Sequence, residues 1–362
     1  MARTRYFGGS SLPYRFKNVP KNVVARPAAA PASSRPFPAG LVAFSSGKER
    51  CGINEYSKGL SAQMRLQGAT VSEHLLSDVS LIASAGAGAE ILVHAEPSIV
   101  PQGIYAALKT SRSRGAKVVV CFHYCEAGFM RPFAEVADVL VTHREYGISN
   151  PKIRVVPLGC PLFEPPGDLP ALRRKYGLPE GKALLTYVGF LSAWKRTPDL
   201  VQQLLPELER RGAVLQLICP THFSGDPTGE VAKMRRLTEN RPTVIWISNF
   251  PVEAEVLERA ACSDLGIAYH GQNTGSVSAT NKMLVAARVP LLVTCSTHDS
   301  DHAGAEHTPS FDLVAYARRA AELAHDRAAL ARLREGSQRD YDRMNQIVVA
   351  RRYLELFKEI KR

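Results

Sequence analysis

The 362-residue sequence lacks an apolar run of the ~18 residues that a membrane-spanning helix needs. This absence argues against an integral membrane protein. The first residues also lack the apolar segment of a secretory signal peptide. We therefore expect a cytoplasmic protein, and a location at the inner face of the membrane stays open as an alternative.

The seven cysteines include no C-x-x-C pair, and their number is odd. This pattern excludes a zinc ribbon and gives no disulfide framework. Most of the cysteines lie in or beside apolar runs, where a free thiol behaves as a small hydrophobic group. We therefore expect reduced cysteines in a reducing compartment.

Acidic residues are absent from residues 1–39, which hold seven of the twelve excess positive charges of the chain. The segment is also dense in Pro, Ala and Ser, so it predicts a disordered basic tail. A loose similarity to an organelle transit peptide is one alternative. A tail that binds nucleic acid or a membrane surface is another. The rest of the chain is only modestly basic, so we expect no specific nucleic-acid partner.

Alternating β and α patterns begin at residue 41 and restart near residue 183. Runs rich in Val, Ile and Leu predict buried parallel strands, with helices between them. Predicted strands are 41–46, 70–76, 91–96, 117–123, 138–143, 153–158, 183–189, 214–219, 244–248, 264–269 and 290–295. Such a rhythm is typical of doubly wound α/β sheets.

The predicted organisation has four parts. After the tail come a first α/β domain, 40–160, and a second, 161–345. The Pro-rich segment 159–170 predicts a hinge between them. Residues 310–362 predict helix throughout, and 346–362 predict a terminal helix that packs back toward the first domain.

Neither half has a G-x-G-x-x-G sequence after its first strand, and there is no Walker A sequence. A dinucleotide dehydrogenase and a P-loop NTPase are therefore disfavoured. In a doubly wound sheet, ligands bind beyond the carboxyl ends of the strands. We therefore searched those ends for polar and glycine residues.

In the first half, Gly52, Ile53 and Asn54 follow the first strand and open a helix, an arrangement that favours an anion. Glu96, His123 and His143 each end a predicted strand. A neutral imidazole can donate and accept hydrogen bonds with sugar hydroxyls. The structural alternatives are a turn capped by Asn54, a helix cap at Glu96 and satisfied core histidines.

In the second half, Gly189 ends the first strand and Lys195 and Arg196 follow it. Both cation types suit phosphate, although a solvated basic turn is the alternative. Further strand-end residues with hydrogen-bonding or small side chains are Thr221, His222, Asn249, Phe250, Gln272, Thr274, Gly275, Ser276 and Ser278. The last three precede a helix start, which binds anions.

The order and spacing of these motifs over about residues 41–345 resemble the retaining GT-B glycosyltransferases of glycosyltransferase group 1 (family 4-like). The resemblance implies an α/β fold of two facing Rossmann-like doubly wound domains with an interdomain cleft. It implies transfer of a sugar from a nucleoside diphosphate sugar to an acceptor hydroxyl with retention, as in glycan or polysaccharide biosynthesis. It implies no metal and no cofactor besides that co-substrate. The acceptor cannot be named.

The resemblance also assigns roles. Lys195, Arg196 and His123 would be catalytic, and Glu96 and His143 would lie on the acceptor side. The donor would contact Gly52, Ile53, Asn54, Gly189, Thr221, His222, Asn249, Phe250, Gln272, Thr274, Gly275, Ser276 and Ser278. Peripheral membrane contact is an alternative, because many relatives act on lipid-linked acceptors.

The sequence departs from the family at both glutamates of its donor-binding segment. Gln272 or Asn273 stands near the first position, and Asn281, Lys282 or Met283 near the second. Phe190 stands where many relatives have an arginine. These departures favour an alternative function, that of a catalytically degenerate GT-B-like nucleotide-sugar binding or scaffold protein.

The segment His298 to His302, together with Glu306 and His307, has side chains that suit a divalent metal. Its spacing matches no common metal motif. We expect a polar loop here and no metal site.

Overall fold

The computed structural model describes residues 37–48, 51–221, 225–226, 228–273 and 275–361. Most of the predicted basic tail, residues 1–36, lies outside these described residues. Among the described helices, none combines the length and apolar character needed to cross a membrane.

The first half forms a parallel sheet with six described strands in the order β2-β1-β3-β4-β5-β6. The strands are β1 (Leu41–Ser45), β2 (Val71–Leu75), β3 (Glu90–Ala95), β4 (Lys117–Phe122), β5 (Val139–Thr142) and β6 (Ile153–Val155). The helices that cover the two faces of the sheet include α1 (Gly52–Leu66), α2 (Val79–Ser84), α3 (Ile104–Ser113) and α4 (Ala127–Val136).

The second half repeats this plan, with six described strands in the order β12-β11-β10-β7-β8-β9. The strands are β7 (Leu184–Val188), β8 (Val214–Ile218), β9 (Val244–Ile247), β10 (Leu265–Ala268), β11 (Leu291–Val293) and β12 (Glu306–His307). Its helices are α5 (Leu169–Lys175), α6 (Thr197–Arg211), α7 (Glu230–Thr238), α8 (Glu253–Ala261), α9 (Ala279–Ala286), α10 (Leu313–Leu323) and α11 (Arg327–Met344). The prediction of two doubly wound α/β units is confirmed.

The central strands are buried on both faces. Along β4, Val118 and Val120 pack into one hydrophobic cluster, and Val119 packs into another on the opposite face. All three valines are 0% exposed. Successive side chains of a strand alternate between faces, so a strand covered on both sides must be apolar at every position.

The chain passes between the two halves twice, and the two passages are hydrogen-bonded to each other. The Cys160 N–H donates to the Met344 carbonyl (2.7 Å), and the Gln346 N–H donates to the Cys160 carbonyl (3.0 Å). After the second passage, α12 (Gln346–Lys361) lies against α1 and β4 of the first half. Its Tyr353 is fully buried there.

Residues 310–361 differ from the expectation of continuous helix. Asp312 and Asp326 cap α10 and α11, because their carboxylates accept N–H groups of the first helical turns. The cap at Asp326 separates α10 from α11. The helix breaks again at Asn345, whose Oδ1 accepts the Val348 N–H (3.1 Å) at the start of α12. The short strand β12 was also not predicted, since two residues carry too little periodic signal.

Candidate active site

The loops at the carboxyl ends of the two sheets touch. The Cys125 N–H, beyond β4, donates to the Gly275 carbonyl, beyond β10 (2.6 Å). A Cβ at Gly275 would lie 2.7 Å from the Cys125 carbonyl oxygen, so a larger residue would push the loops apart. Val277 packs in a hydrophobic cluster of the first half. The carboxyl ends of the two sheets therefore face each other across one interdomain cleft.

Lys195 is the buried cation of this cleft. It follows β7 in a single 3-10 turn, and only 7% of its surface is exposed. Burial lowers the pKa of its ammonium group. In the part of the chain that the structure describes, no carboxylate lies within ion-pair distance of it. A Cβ at Gly189 would lie 2.8 Å from Lys195 Nζ, so the glycine leaves room beside the charge.

Arg196 lies at the edge of the same turn. Its backbone is left-handed (φ 52°), and its guanidinium pairs with Asp199 (2.9 Å) at a half-exposed position. Its side chain also approaches Gly271, whose Cβ would lie 3.5 Å from Arg196 Cδ. Arg196 therefore lies beside the cleft with its charge already partnered.

A buried histidine–carboxylate pair lies beneath the cleft. His270 Nδ1 is 2.9 Å from Asp299 Oδ2, and Trp194 stacks on the imidazole (centroids 5.8 Å apart). Asp299 also accepts hydrogen bonds from Asn281 Nδ2 (2.7 Å) and Thr294 Oγ1 (3.2 Å). Burial raises the pKa of Asp299 to about 7, and burial together with the charge of Lys195 lowers the pKa of His270. When Asp299 is ionised, a neutral His270 donates its Nδ1 proton to it.

A second buried pair joins α9 to the loop that contains Asp299. Lys282 Nζ donates to Asp301 Oδ2 (2.5 Å), and both side chains are almost fully buried. Burial alone would raise the pKa of Asp301, but the Lys282 ammonium lowers it below its usual range. His302 lies 3.3 Å from the same ammonium.

Residues 298–302 form a loop of polar residues, as expected, but most of their side chains are buried. His298, Asp299, Asp301 and His302 are all buried. They are buried because α9 supplies their partners from a distant part of the sequence. Asn281 donates to Asp299 and Lys282 donates to Asp301, whereas Asp301 Oδ1 is buried without a hydrogen-bond partner among the described residues.

The predicted phosphate loop is tied to this buried segment. The Gln272 carbonyl accepts from Ser296 Oγ (2.8 Å), and Ser276 Oγ is 3.3 Å from His298 Nδ1. Ser278 caps α9, because its Oγ accepts the Asn281 N–H (3.3 Å). Thr274 lies outside the described residues. The loop thus places the start of α9 beside the cleft.

Three histidines form a chain at the carboxyl ends of β3, β4 and β5. His94 Nδ1 lies 3.1 Å from His123 Nε2, and His123 Nδ1 lies 3.4 Å from His143 Nε2. His143 Nδ1 lies 3.1 Å from the Val156 carbonyl, which can only accept. His143 must therefore carry its proton on Nδ1, which makes its Nε2 an acceptor and fixes the protons of the other two rings in turn.

Burial keeps this chain neutral. It lowers the pKa of His94 to about 3 and that of His143 to about 4, and it lowers the pKa of His123 as well. Tyr56 of α1 meets all three rings edge-on, with centroids 5.4–5.8 Å away. His123 alone of the three is partly exposed. It is therefore the histidine that presents an edge to the cleft.

Two other predicted residues of the first half make local contacts. The Asn54 side chain does not cap α1 but accepts from Ser45 Oγ (3.0 Å). Glu96 accepts the Ser98 N–H (2.9 Å) and so stabilises the turn after β3. Gly52 opens α1 with free space around its Cα, and Ile53 follows it at a half-buried position.

The remaining predicted donor residues lie at the ends of β8 and β9. Thr221 is exposed and pairs with Leu191 in an isolated β-bridge, and His222 lies outside the described residues. Asn249 is exposed, and the exposed ring of Phe250 stacks on Phe190 (centroids 5.8 Å apart). Phe190 and Phe250 therefore form an aromatic pair beyond β7 and β9.

The sequence-based prediction gives no site role to His94, Tyr353, His270 or Asp299. His94 and His270 stand at strand ends, where the rule applied to His123 would have found them. Tyr353 donates to Cys121 Sγ (3.0 Å) across 232 positions, and Asp299 lies 29 positions from His270. The sequence carries no local signal for contacts of that range.

No protein-family model matches this sequence, and no curated protein matches it. Solved structures do match the fold. A glycosyltransferase from Rickettsia africae ESF-5 has 12% identity and a TM-score of 0.71, over 90% of this chain and 99% of that one. Anabaena Alr3699/HepE, solved in complex with UDP and glucose, has 10% identity and a TM-score of 0.66, over 88% and 99%.

An alpha,alpha-trehalose-phosphate synthase (UDP-forming) from Burkholderia vietnamiensis is also similar. It has 14% identity and a TM-score of 0.58, over 84% of this chain and 80% of that one. Identities this low relate the folds and not the activities. With two parallel doubly wound sheets whose carboxyl ends face one cleft, the chain has the GT-B fold.

Proposed function

We propose that this protein is a retaining glycosyltransferase that moves a sugar from a nucleoside diphosphate sugar to an acceptor hydroxyl. The observation that carries the proposal is the buried ammonium of Lys195 at the cleft, which has no carboxylate partner among the described residues. A buried charge is costly unless it is paired, so the position calls for an anionic ligand.

The proposed reaction needs charge stabilisation and positioning from the protein. The bond between the sugar C1 and the diphosphate oxygen breaks, and C1 bonds to the acceptor oxygen on the same face. The acceptor proton passes to the departing diphosphate. Lys195 would stabilise the negative charge that develops on the diphosphate, which is the usual electrostatic contribution to catalysis. No metal ion is assigned to the diphosphate.

His123 would orient the donor sugar, because its partly exposed ring lies across the cleft from Lys195's half of the molecule. The chain through His143 to Val156 fixes the orientation of that ring. Arg196 would stabilise the diphosphate only if its guanidinium left the ion pair with Asp199 and bound phosphate instead. His143 is buried behind His123, so a direct contact with the acceptor needs a conformational change.

The buried carboxylates bear on the alternative of a degenerate site. The two family glutamates are absent. Asp299 and Asp301, from a different segment of the chain, accept hydrogen bonds from Asn281 and Lys282 of α9. Asp299 holds His270 in a single orientation under the cleft. The site is therefore built and ordered, which favours an enzyme over a scaffold.

The test is a panel of uridine, guanosine, adenosine and thymidine diphosphate sugars, with release of the nucleoside diphosphate measured. UDP-glucose comes first, because two similar structures are of a protein holding UDP and glucose and of a UDP-forming synthase. Turnover with an α-linked product from an α-linked donor, shown by NMR, would support the proposal. Binding without hydrolysis or transfer would establish the degenerate alternative. An inverted product would exclude retention.

A further inference from the structure

Three potential metal ligands converge at the carboxyl ends of β3 and β4. His94, Cys121 and His123 each offer one ligand atom, and these atoms lie within 4.8 Å of one another. His94 Nδ1 is 3.1 Å from His123 Nε2, and Cys121 Sγ is 3.8 Å from the same nitrogen. We propose that this cluster, named here the His–Cys site, binds a zinc ion.

The spacing suits tetrahedral zinc. Zinc bonds of about 2.0 Å to nitrogen and about 2.3 Å to sulfur place two nitrogens about 3.3 Å apart and nitrogen and sulfur about 3.6 Å apart. The corresponding distances here are 3.1 Å and 3.8 Å. Two of the three ligand separations therefore match zinc to within a few tenths of an ångström, and the third, between His94 Nδ1 and Cys121 Sγ, is at most 4.8 Å. The mixed nitrogen and sulfur donors favour zinc over magnesium or calcium.

Neighbouring residues form hydrogen bonds with the proposed ligands, as outer residues do in metal sites. His123 donates its Nδ1 proton to His143, which directs its Nε2 lone pair toward the ion. Tyr353 Oη donates to Cys121 Sγ (3.0 Å), which stabilises a thiolate. Such outer hydrogen bonds orient ligands and strengthen metal binding.

His94 can adopt the tautomer that the ion requires. Its Nε2 is buried and has no hydrogen-bond partner in the described chain. When zinc takes the place of the Nδ1 proton, that proton moves to the unoccupied Nε2. The proton order of His123 and His143 stays unchanged.

The site has an entry path and an open position. His94 and Cys121 are fully buried, whereas His123 is partly exposed toward the cleft. Three protein ligands leave the fourth tetrahedral position for water on that side. Under the proposed function His123 also faces the donor sugar, so zinc and donor would exclude each other. This last consequence rests on the proposed function, but the site itself does not.

The experiment uses the full chain without an affinity tag. Zinc is added alone, and its binding is measured by competition with a chromophoric chelator and by metal content after dialysis. We expect about one zinc ion per chain. Cobalt in place of zinc should give sulfur-to-cobalt charge-transfer absorption, because Cys121 is a ligand. Mutating a residue that hydrogen-bonds to a metal ligand lowers metal affinity roughly 10–100-fold. Replacing a ligand itself should lower the zinc affinity at least as much.

Cys121→Ala and His94→Ala test the ligands, and His123→Asn serves as a variant at the partly exposed ligand, where folding is least disturbed. Cys295→Ser is the matched control, since Cys295 is the exposed cysteine of the described chain. Retained stoichiometry and cobalt absorption in this control support the site. Absence of binding in the parent, loss of binding in Cys295→Ser, or full binding in all three ligand variants would overturn it. These measurements need neither donor nor acceptor, so their failure is distinct from failure of the proposed function.

Discussion

Replacing Lys195 with methionine should separate ligand binding from folding. Only 7% of the surface of Lys195 is exposed, and no described carboxylate lies within ion-pair distance of its ammonium group. Methionine fills a similar volume without a charge. The ligand-free variant should therefore be at least as stable as the parent, because the folded state no longer buries an unpaired ammonium.

The same change should strongly weaken binding of the nucleotide-sugar donor. A hydrogen bond to a charged group contributes about 1.5–3 kcal/mol, so its loss should raise the Kd of the donor roughly 10–150-fold. A ligand at 100 times its Kd raises the free energy of unfolding by about 2.7 kcal/mol. At the same donor concentration that gain falls to about 1.4 kcal/mol for a 10-fold weaker Kd and about 0.4 kcal/mol for a 100-fold weaker one.

The assay is urea unfolding with and without the nucleoside diphosphate that the panel selects. Lys175→Met is the matched control, since Lys175 forms a surface ion pair with Glu258 on the same half of the molecule. The control should keep the full ligand-induced gain. A Lys195→Met protein that is less stable without ligand, and gains as much as the parent with ligand, would refute the assignment of Lys195 to an anion site.

Three further predictions concern packing and pH. Gly275→Ala should lower the free energy of unfolding by about 1–3 kcal/mol in urea, because its Cβ would lie 2.7 Å from the Cys125 carbonyl. Gly336→Ala should lower thermal stability although alanine favours helix by about 1 kcal/mol, because its Cβ would lie 2.2 Å from the Gly304 carbonyl; a net gain would contradict this packing. The pKa of His143, lowered to about 4, lies below its unfolded value, so the stability it contributes is present above pH 6.5 and falls as the pH drops toward 4. Between pH 7 and pH 5 the His143→Asn protein should therefore lose about 2 kcal/mol less free energy of unfolding than the parent. An unchanged pH profile in urea titrations would count against a neutral buried histidine.

The strands were predictable because burial on both faces requires an apolar side chain at every position. Val118, Val119 and Val120 are apolar without interruption, and both faces of β4 are covered. A run of this kind between helical segments predicts a central parallel strand. The ends of the strands were less certain, since pairing stops where the loops turn toward the cleft. The predicted strand 290–295 is only Leu291–Val293 in the structure.

The site was predictable only where it depends on strand ends. His123 and Lys195 were selected because the carboxyl end of a parallel strand positions whatever follows it. The partners of Asp299 were not predictable, since Asn281 lies 18 positions away and His270 lies 29. A stretch of five polar residues predicts a solvated loop by composition. Contacts from α9 make it a buried network.

The C-terminal helix α12 connects the hinge to the first half's site. The chain enters it directly from the hydrogen-bonded passage at Cys160 and Gln346, and it carries Tyr353 to the thiol of Cys121. Because α12 packs on α1, a rotation of the two halves must bend the chain at this passage while α12 stays with the first sheet. A Cβ at Gly59 of α1 would lie 2.4 Å from Gln346 Nε2, so the helix start is closely seated. The last helix therefore packs as part of the first half, where Tyr353 contacts Cys121 of the His–Cys site.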